Sequence, residues 1–251
     1  MYSGYRKRKR KVRSVPFNKI VPNMITSGSV LCGMFSLILT YQRQFVPSAL
    51  ILIMAVFFDY MDGKVARSLG GSSTFGEELD SLADALSFGA APAFLIYAHY
   101  IGLEGGICGA IASAFFALCG VLRLARFNVL HAVGPFQGLP IPAAGMALAS
   151  AVIGGVPLTP RLAAIVMVGL GSLMISTIPY GNLKLLRRGN VNKFKAFLLT
   201  GFVISCLATL RERALLALIG VYIASGPLHF DWGAWLAIDP EPADKPAPEK
   251  E

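Results

Sequence analysis

The chain has 251 residues, of which 55% are hydrophobic and only 15% charged, with a mean hydropathy of +0.60 and a net charge of +9. A soluble domain carries about a quarter charged residues, so a water-soluble fold is excluded, and the alternating pattern of a β-barrel is absent. What remains is an all-α, polytopic membrane bundle assembled from apolar stretches of about 20 residues.

The first twenty residues carry a basic cluster, Arg6-Lys7-Arg8-Lys9-Arg10-Lys11, without the apolar core of a cleavable signal peptide. Beside a membrane span such an arm reads as a topology determinant or a contact with anionic lipid headgroups rather than as a nucleic-acid binder. Eight helices are expected: Met24–Tyr41, Pro47–Arg67, Phe75–Tyr100, Gly106–Phe127, Pro142–Val156, Leu162–Tyr180, Lys193–Thr209 and Ala214–His229. The last two must be joined by a very tight turn at Arg211-Glu212-Arg213. The organisation predicted is a basic arm (1–22), a membrane core of six helices (23–180), a basic loop with a helix pair (181–230) and a disordered acidic tail (231–251). An even number of spans places both termini on one side. That side then holds 19 of the 23 Lys and Arg residues, which predicts cytoplasmic termini. The four cysteines are scattered through apolar segments with no CxxC pair and read as buried hydrophobes.

Against this apolar background stands one charged constellation: Asp59-x2-Asp62-Gly63-x2-Ala66-Arg67-x8-Gly76-x3-Asp80-x3-Asp84. Carboxylates at the edge of a membrane core are costly unless something positive neutralises them. Asp59, Asp62 and Ala66 share a helix face, and Gly76, Asp80 and Asp84 stack at i, i+4 and i+8 on the next helix. The Ser68–Phe75 loop, with Gly70 and Gly71, can reverse the chain and bring the two acidic faces together. Converging carboxylates are hard oxygen ligands suited to Mg²⁺ or Mn²⁺. Gly63 and Gly76 let a ligand approach the backbone, Ala66 keeps the same face low, and Arg67 offers a planar fork to a phosphate. Two basic neighbours, Lys64 and Arg67, cannot neutralise four carboxylates, so plain ion pairing does not account for the motif. A cation pathway explains the carboxylates but not the glycines or the arginine.

This constellation resembles the signature of the CDP-alcohol phosphatidyltransferase family. The resemblance extends over about Asn23 to Tyr180. It implies two divalent metal ions (Mg²⁺ or Mn²⁺) held by Asp59, Asp62, Asp80 and Asp84, and a CDP-linked lipid whose CMP part lies against Gly63, Ala66, Arg67 and Gly76, with Asp62 close by. It also implies that Asp84 takes the proton from the acceptor alcohol, which attacks the lipid-side phosphorus as CMP leaves, and that the protein is a homodimer. The resemblance puts Asn23 and Thr26, at the expected start of the first helix, near the nucleotide; simple N-capping explains them equally well.

Three segments resemble the branch of the family whose acceptor is L-serine and whose donor is CDP-diacylglycerol: Asp80 to Gly89, Leu122 to Asn128 and Phe136 to Ala144. Arg123 and Arg126, three residues apart, suit the serine carboxylate, although both also fit as positive-inside anchors. Asn128 suits the ammonium or a phosphate. Inositol phosphate or glycerol phosphate would use arginines too, and an ether-linked CDP-lipid would leave the same pattern.

Overall fold

The structure, a computed structural model, describes residues 17–71, 73–102, 104–130, 137–180, 192–230 and 232–236. The basic arm at 6–13, most of the 184–195 loop and the tail from 237 lie outside the described residues. Nine helices follow in chain order within the described residues: α1 (Phe17–Tyr41), α2 (Phe45–Ser68), α3 (Thr74–Ile101), α4 (Gly106–Leu130), α5 (Ile141–Ile153), α6 (Pro160–Ile175), α7 (Lys193–Leu210), α8 (Ala214–Ser225) and α9 (Trp232–Leu236). Among the described residues there is no strand, and the only β pairing is an isolated bridge between Gln137 and Pro179. This is an all-α membrane bundle. The segments Ile20–Tyr41, Phe45–Ser68, Thr74–Ile101 and Gly106–Val129 are long and apolar enough to cross a bilayer, while α5 and α6 are apolar but shorter.

Helix α5 is the hub. Ten of its thirteen residues are buried, most of them Ala or other small residues. Small residues let neighbouring backbones close in where lipid offers no hydrophobic drive to association. A Cβ on Gly145 would lie 2.8 Å from the Phe88 carbonyl of α3, and one on Gly120 of α4 would lie 2.6 Å from the Ile141 side chain. Large apolar residues on the outside, such as Leu31, Phe35, Met54, Phe57, Ile107 and Ile111, are exposed and suited to a lipid environment.

Helix α1 fastens the site-bearing helices through a seam at Ser29, Gly33, Ser36 and Thr40. The Ser36 and Thr40 hydroxyls lie 2.8 and 2.7 Å from that of Ser48 on α2. Ser87 of α3 donates to the Ser29 carbonyl at 2.8 Å, and a Cβ on Gly33 would stand 2.7 Å from Ser87 Oγ.

Of the four cysteines expected to be buried only Cys119 is, and Cys108 is exposed; the helices themselves depart from the sequence reading chiefly in four places. First, α1 starts at Phe17 instead of Met24. Pro22 lies inside it, in its second turn, and removes one intrahelical hydrogen bond. Second, α3 is not a uniform α-helix: Ala85–Ala90 and Tyr97–Ile101 are π turns. Hydrophobic periodicity reports an apolar helix and does not report single-turn widening. Third, α6 stops at Ile175, with Ser176 extended. The chain then packs on residues 138–139, with Gly138 N–H donating to the Ile178 carbonyl and Leu139 N–H to that of Leu173. Gly138 has φ +79°, and a Cβ there would run into the Met174 carbonyl, so this crossing needs glycine. Fourth, α9 falls inside the stretch expected as a disordered tail; Lys195 donates to the Trp235 carbonyl at 2.7 Å, and Asn192 N–H donates to that of Leu236. The tight turn before α8 is as expected, a single 3₁₀ turn at Arg211–Arg213 with Arg213 Nε donating to the Gly154 carbonyl.

Candidate active site

The site begins at the α2–α3 reversal. The end of α2 is closed by Gly71 N–H donating to the Ala66 carbonyl at 2.9 Å. Gly70 and Gly71 have φ of +97° and +107°, a conformation other residues adopt only under strain. Ser73 then caps α3, its hydroxyl accepting from Gly76 N–H at 3.1 Å. This short reversal turns α3 back along α1, so that Asp80 meets Asp59 and Asp62 of α2.

The result is a carboxylate cluster. Asp59, Asp62 and Asp80 each present an oxygen within 4.8 Å of the others. Asp62 is buried and the other two are half-buried. Asp62 Oδ2 is buried with no hydrogen-bond partner. An unpartnered buried carboxylate oxygen is costly, and three mutually repelling carboxylates add to that cost. A hard divalent cation relieves both, so the donor set fits Mg²⁺ or Mn²⁺. Asp84 lies one turn further along α3, at the mouth of the first π turn, and is not one of the three. It lies within electrostatic reach of Asp59, Asp80 and Asp62 and of Arg123.

Beside the cluster is a pocket of about 240 Å³. Asn23, Thr26, Asp62, Gly63, Ala66, Arg67 and Gly76 all line it, so the structure gathers in one place every residue expected near the nucleotide. Pro22, Gly71, Ser73, Glu77 and Asp80 complete the lining. The Arg67 guanidinium folds back over Gly63, 3.4 Å from where a Cβ would stand. Gly76 faces Asn23 in the same way, with Asn23 Oδ1 2.8 Å from the position of an added Cβ.

Because α1 begins at Phe17, Asn23 and Thr26 cannot be N-caps, nor do they sit at a helix terminus with free amides. They lie inside the helix, where Thr26 Oγ1 donates to the Pro22 carbonyl at 3.0 Å, and Thr26 is buried beside Asp62. Their side chains, not their amides, face the pocket.

The expected acceptor-side residues divide by role. Arg123 is 8% exposed, and its Nε is buried without a partner. Arg126 instead commits its guanidinium to three backbone carbonyls: Ile175, Gln137 and Ser176, at 3.1, 3.2 and 3.3 Å. Asn128 exchanges hydrogen bonds with Ser81 of α3, at 3.0 and 3.3 Å. Arg126 and Asn128 therefore hold the end of α4 to its neighbours. Sequence reasoning missed Ser73, whose position three residues before Gly76 carries a capping signal.

The comparisons with known proteins agree with one another. The family described as CDP-alcohol phosphatidyltransferase matches residues 19–225. A CDP-diacylglycerol–serine O-phosphatidyltransferase of Helicobacter pylori is 34% identical over 86% of this chain and 94% of its own length. An enzyme of the same name from Bacillus subtilis is 37% identical over 65% of this chain and 91% of its own. An archaetidylserine synthase of Methanothermobacter thermautotrophicus is 36% identical over 64% and 69%.

Proposed function

This chain belongs to the CDP-alcohol phosphatidyltransferase family, and from that premise we propose that it transfers a phosphatidyl group from CDP-diacylglycerol to L-serine, giving phosphatidylserine and CMP. The observation that carries the reading is the trio Asp59, Asp62 and Asp80, with an unpartnered Asp62 oxygen, at the wall of a pocket bounded by Gly63, Ala66, Arg67 and Gly76. Relatives named for serine transfer support the acceptor.

In this reading Asp59, Asp62, Asp80 and Asp84 are the residues that hold two divalent ions, Asp84 from the far side of the trio. Bound there, the ions supply positive charge that neutralises the diphosphate and eases departure of CMP. The protein's own groups do the rest. Arg67 takes a phosphate oxygen, while the bare Gly63 and Gly76 admit the nucleotide alongside Asn23 and Thr26. Arg123 takes the serine carboxylate, and Arg126 and Asn128 hold the helix end that carries it. Asp84, between the trio and Arg123, accepts the proton of the serine hydroxyl. The serine oxygen forms its bond to the lipid-side phosphorus, the bond from that phosphorus to the bridging oxygen breaks, and the electron pair leaves with CMP. The exposed apolar faces of the helices let the acyl chains stay in the bilayer. We place the site and both termini on the cytoplasmic side, where serine and CDP-lipid meet, and the protein in a homodimer.

The direct test offers purified protein CDP-diacylglycerol with serine, inositol phosphate or glycerol phosphate in turn, and measures CMP. Release with serine alone is expected. Release only with a phosphorylated polyol would move the protein to another acceptor, and faster release from an ether-linked CDP-lipid would change the donor.

A further inference from the structure

The helix that carries Asp80 and Asp84 changes its winding immediately after them. Asp84 itself has ordinary helical angles, φ −60° and ψ −45°, and Ala85–Ala90 then form a π turn, with Ala91 N–H donating to the Leu86 carbonyl. Such a turn takes in one extra residue and recurs beside functional sites. Each helix residue adds about 100° of rotation, so the extra residue sets the face before the turn against the face after it. Before the turn, Asp80 meets Asp59 and Asp62, and Asp84 continues the Asp80 face one turn on.

Within the turn, Ser87, Phe88 and Gly89 are buried, and each meets a different helix. Ser87 Oγ donates to the Ser29 carbonyl of α1 at 2.8 Å and lies 3.4 Å from the Ser29 hydroxyl. A Cβ on Gly33, one turn along α1, would stand 2.7 Å from Ser87 Oγ and 3.2 Å from Ser87 Cα. Phe88 lies against α5, where a Cβ on Gly145 would be 2.8 Å from the Phe88 carbonyl oxygen and 3.0 Å from its Cα. Gly89 lies against α4, its Cα 3.9 Å from where a Cβ on Gly120 would stand. With these residues seated on three neighbours, a plain α turn in place of the π turn would swing Asp84 by about 100° off the face of Asp80. Helix α1 also lines the pocket with Asn23 and Thr26, so the Ser87 bond ties the turn behind Asp84 to the pocket wall.

We propose that Ser87 is a positioning residue for the transfer: its hydrogen bond to the Ser29 carbonyl holds the π turn in register and so keeps Asp84 aimed along the Asp80 face. This rests on the reading of Asp84 as the base. Ser87 touches no substrate and acts through Asp84. The glycine seats supply the close packing, and the hydroxyl supplies the directional tie that packing alone lacks. Losing that tie should therefore cost the chemical step more than it costs binding.

The test uses the full-length protein and measures kcat, both KM values and calorimetric Mn²⁺ binding. Ser87→Ala removes the hydroxyl and adds no bulk. Its kcat is expected to fall about tenfold, short of the ~10²-fold that a misplacement of about 1 Å can cost. Both KM values and the Mn²⁺ stoichiometry should stay near wild type. Ser29→Ala is the control: it deletes a similarly buried hydroxyl of the same seam but keeps the carbonyl that Ser87 uses, so its kcat should stay near wild type. Ser87→Ala added to Asp84→Asn should cost nothing further, because residues that act as a unit are not additive. An unchanged kcat in Ser87→Ala overturns the inference, as does loss of Mn²⁺ stoichiometry in that variant. An equal fall in Ser29→Ala, or a further fall of the same size in the double variant, overturns it too. All of these outcomes leave serine transfer, and the turnover lost in Asp84→Asn alone, intact. Near-normal turnover of Asp84→Asn alone overturns the base assignment, and this inference with it.

Discussion

The two halves of the site are built differently. The donor half, from Asp59 to Asp84, is one local unit: two helix ends, a glycine reversal and a serine cap. The proposed acceptor half is assembled from parts far apart in sequence, with Arg123 and Arg126 on α4 and the carbonyls of residues 137 and 175–176. The donor half is rich in charge with few internal partners, as shown by the unpartnered Asp62 oxygen. In the acceptor half Arg126 and Asn128 are already bonded, and the unsatisfied group is Arg123. The difference suggests that chemistry resides in the local unit, and that acceptor choice resides in the long-range one.

The largest effects should come from breaking the donor half. Asp80→Asn removes a charge from the trio whose oxygens lie within 4.8 Å of one another. It is expected to abolish both calorimetric Mn²⁺ binding and CMP release. Asp84→Asn, outside the trio, should retain most Mn²⁺ and CDP-lipid binding while turnover falls about 10²-fold, the scale of losing a general base. Near-normal turnover of Asp84→Asn would place the base elsewhere. Loss of CDP-lipid binding in that variant would make Asp84 mainly a ligand and erase the division between the trio and its neighbour.

This contrast also explains what the sequence disclosed. The donor half was legible because helix periodicity fixes which of Asp59, Asp62, Asp80 and Asp84 share a face, and because a Gly-Gly pair with positive φ reverses the chain within a few residues. Apolar length made the membrane bundle legible in the same way. The π turn after Asp84 was not legible, because one widened turn leaves the apolar pattern intact. The start of α1 was missed because Pro22 reads as a boundary, although the helix runs through it at the loss of one backbone bond. The role of Arg126 was hidden for another reason. A backbone carbonyl that needs a donor leaves no mark in sequence, and its three acceptors come from two other segments.

The arginine pair sharpens the comparison at intermediate size. Arg123→Ala is expected to raise the serine KM by about ten- to a hundredfold, as for a lost charge-assisted hydrogen bond, with little change for CDP-diacylglycerol. Arg126→Ala should instead lower stability by about 1–3 kcal/mol, since three partly exposed carbonyls lose their donor, and should raise both KM values together. Thermal unfolding alongside the two KM measurements reads this. If Arg126→Ala raises only the serine KM and leaves Tm unchanged, Arg126 touches the acceptor and the assigned roles are reversed.

The smallest effect is expected at the seam between α1 and α3. Alanine at position 76 would stand 2.8 Å from Asn23 Oδ1 and 3.4 Å from Ser73 Oγ. Asn23 is a flexible side chain, so it can turn away, and the turn would carry it into the pocket that both residues line. Alanine also favours the helix over glycine by up to about 1 kcal/mol, which offsets the crowding, so Gly76→Ala should leave Tm almost unchanged. The consequence should appear in binding: a severalfold rise in the KM for CDP-diacylglycerol and no rise for serine. A Gly76→Ala variant with an unaltered CDP-diacylglycerol KM would mean that the Asn23 side of the pocket does not meet the nucleotide. A rise for serine instead would show that the two halves of the site are not separable along this seam.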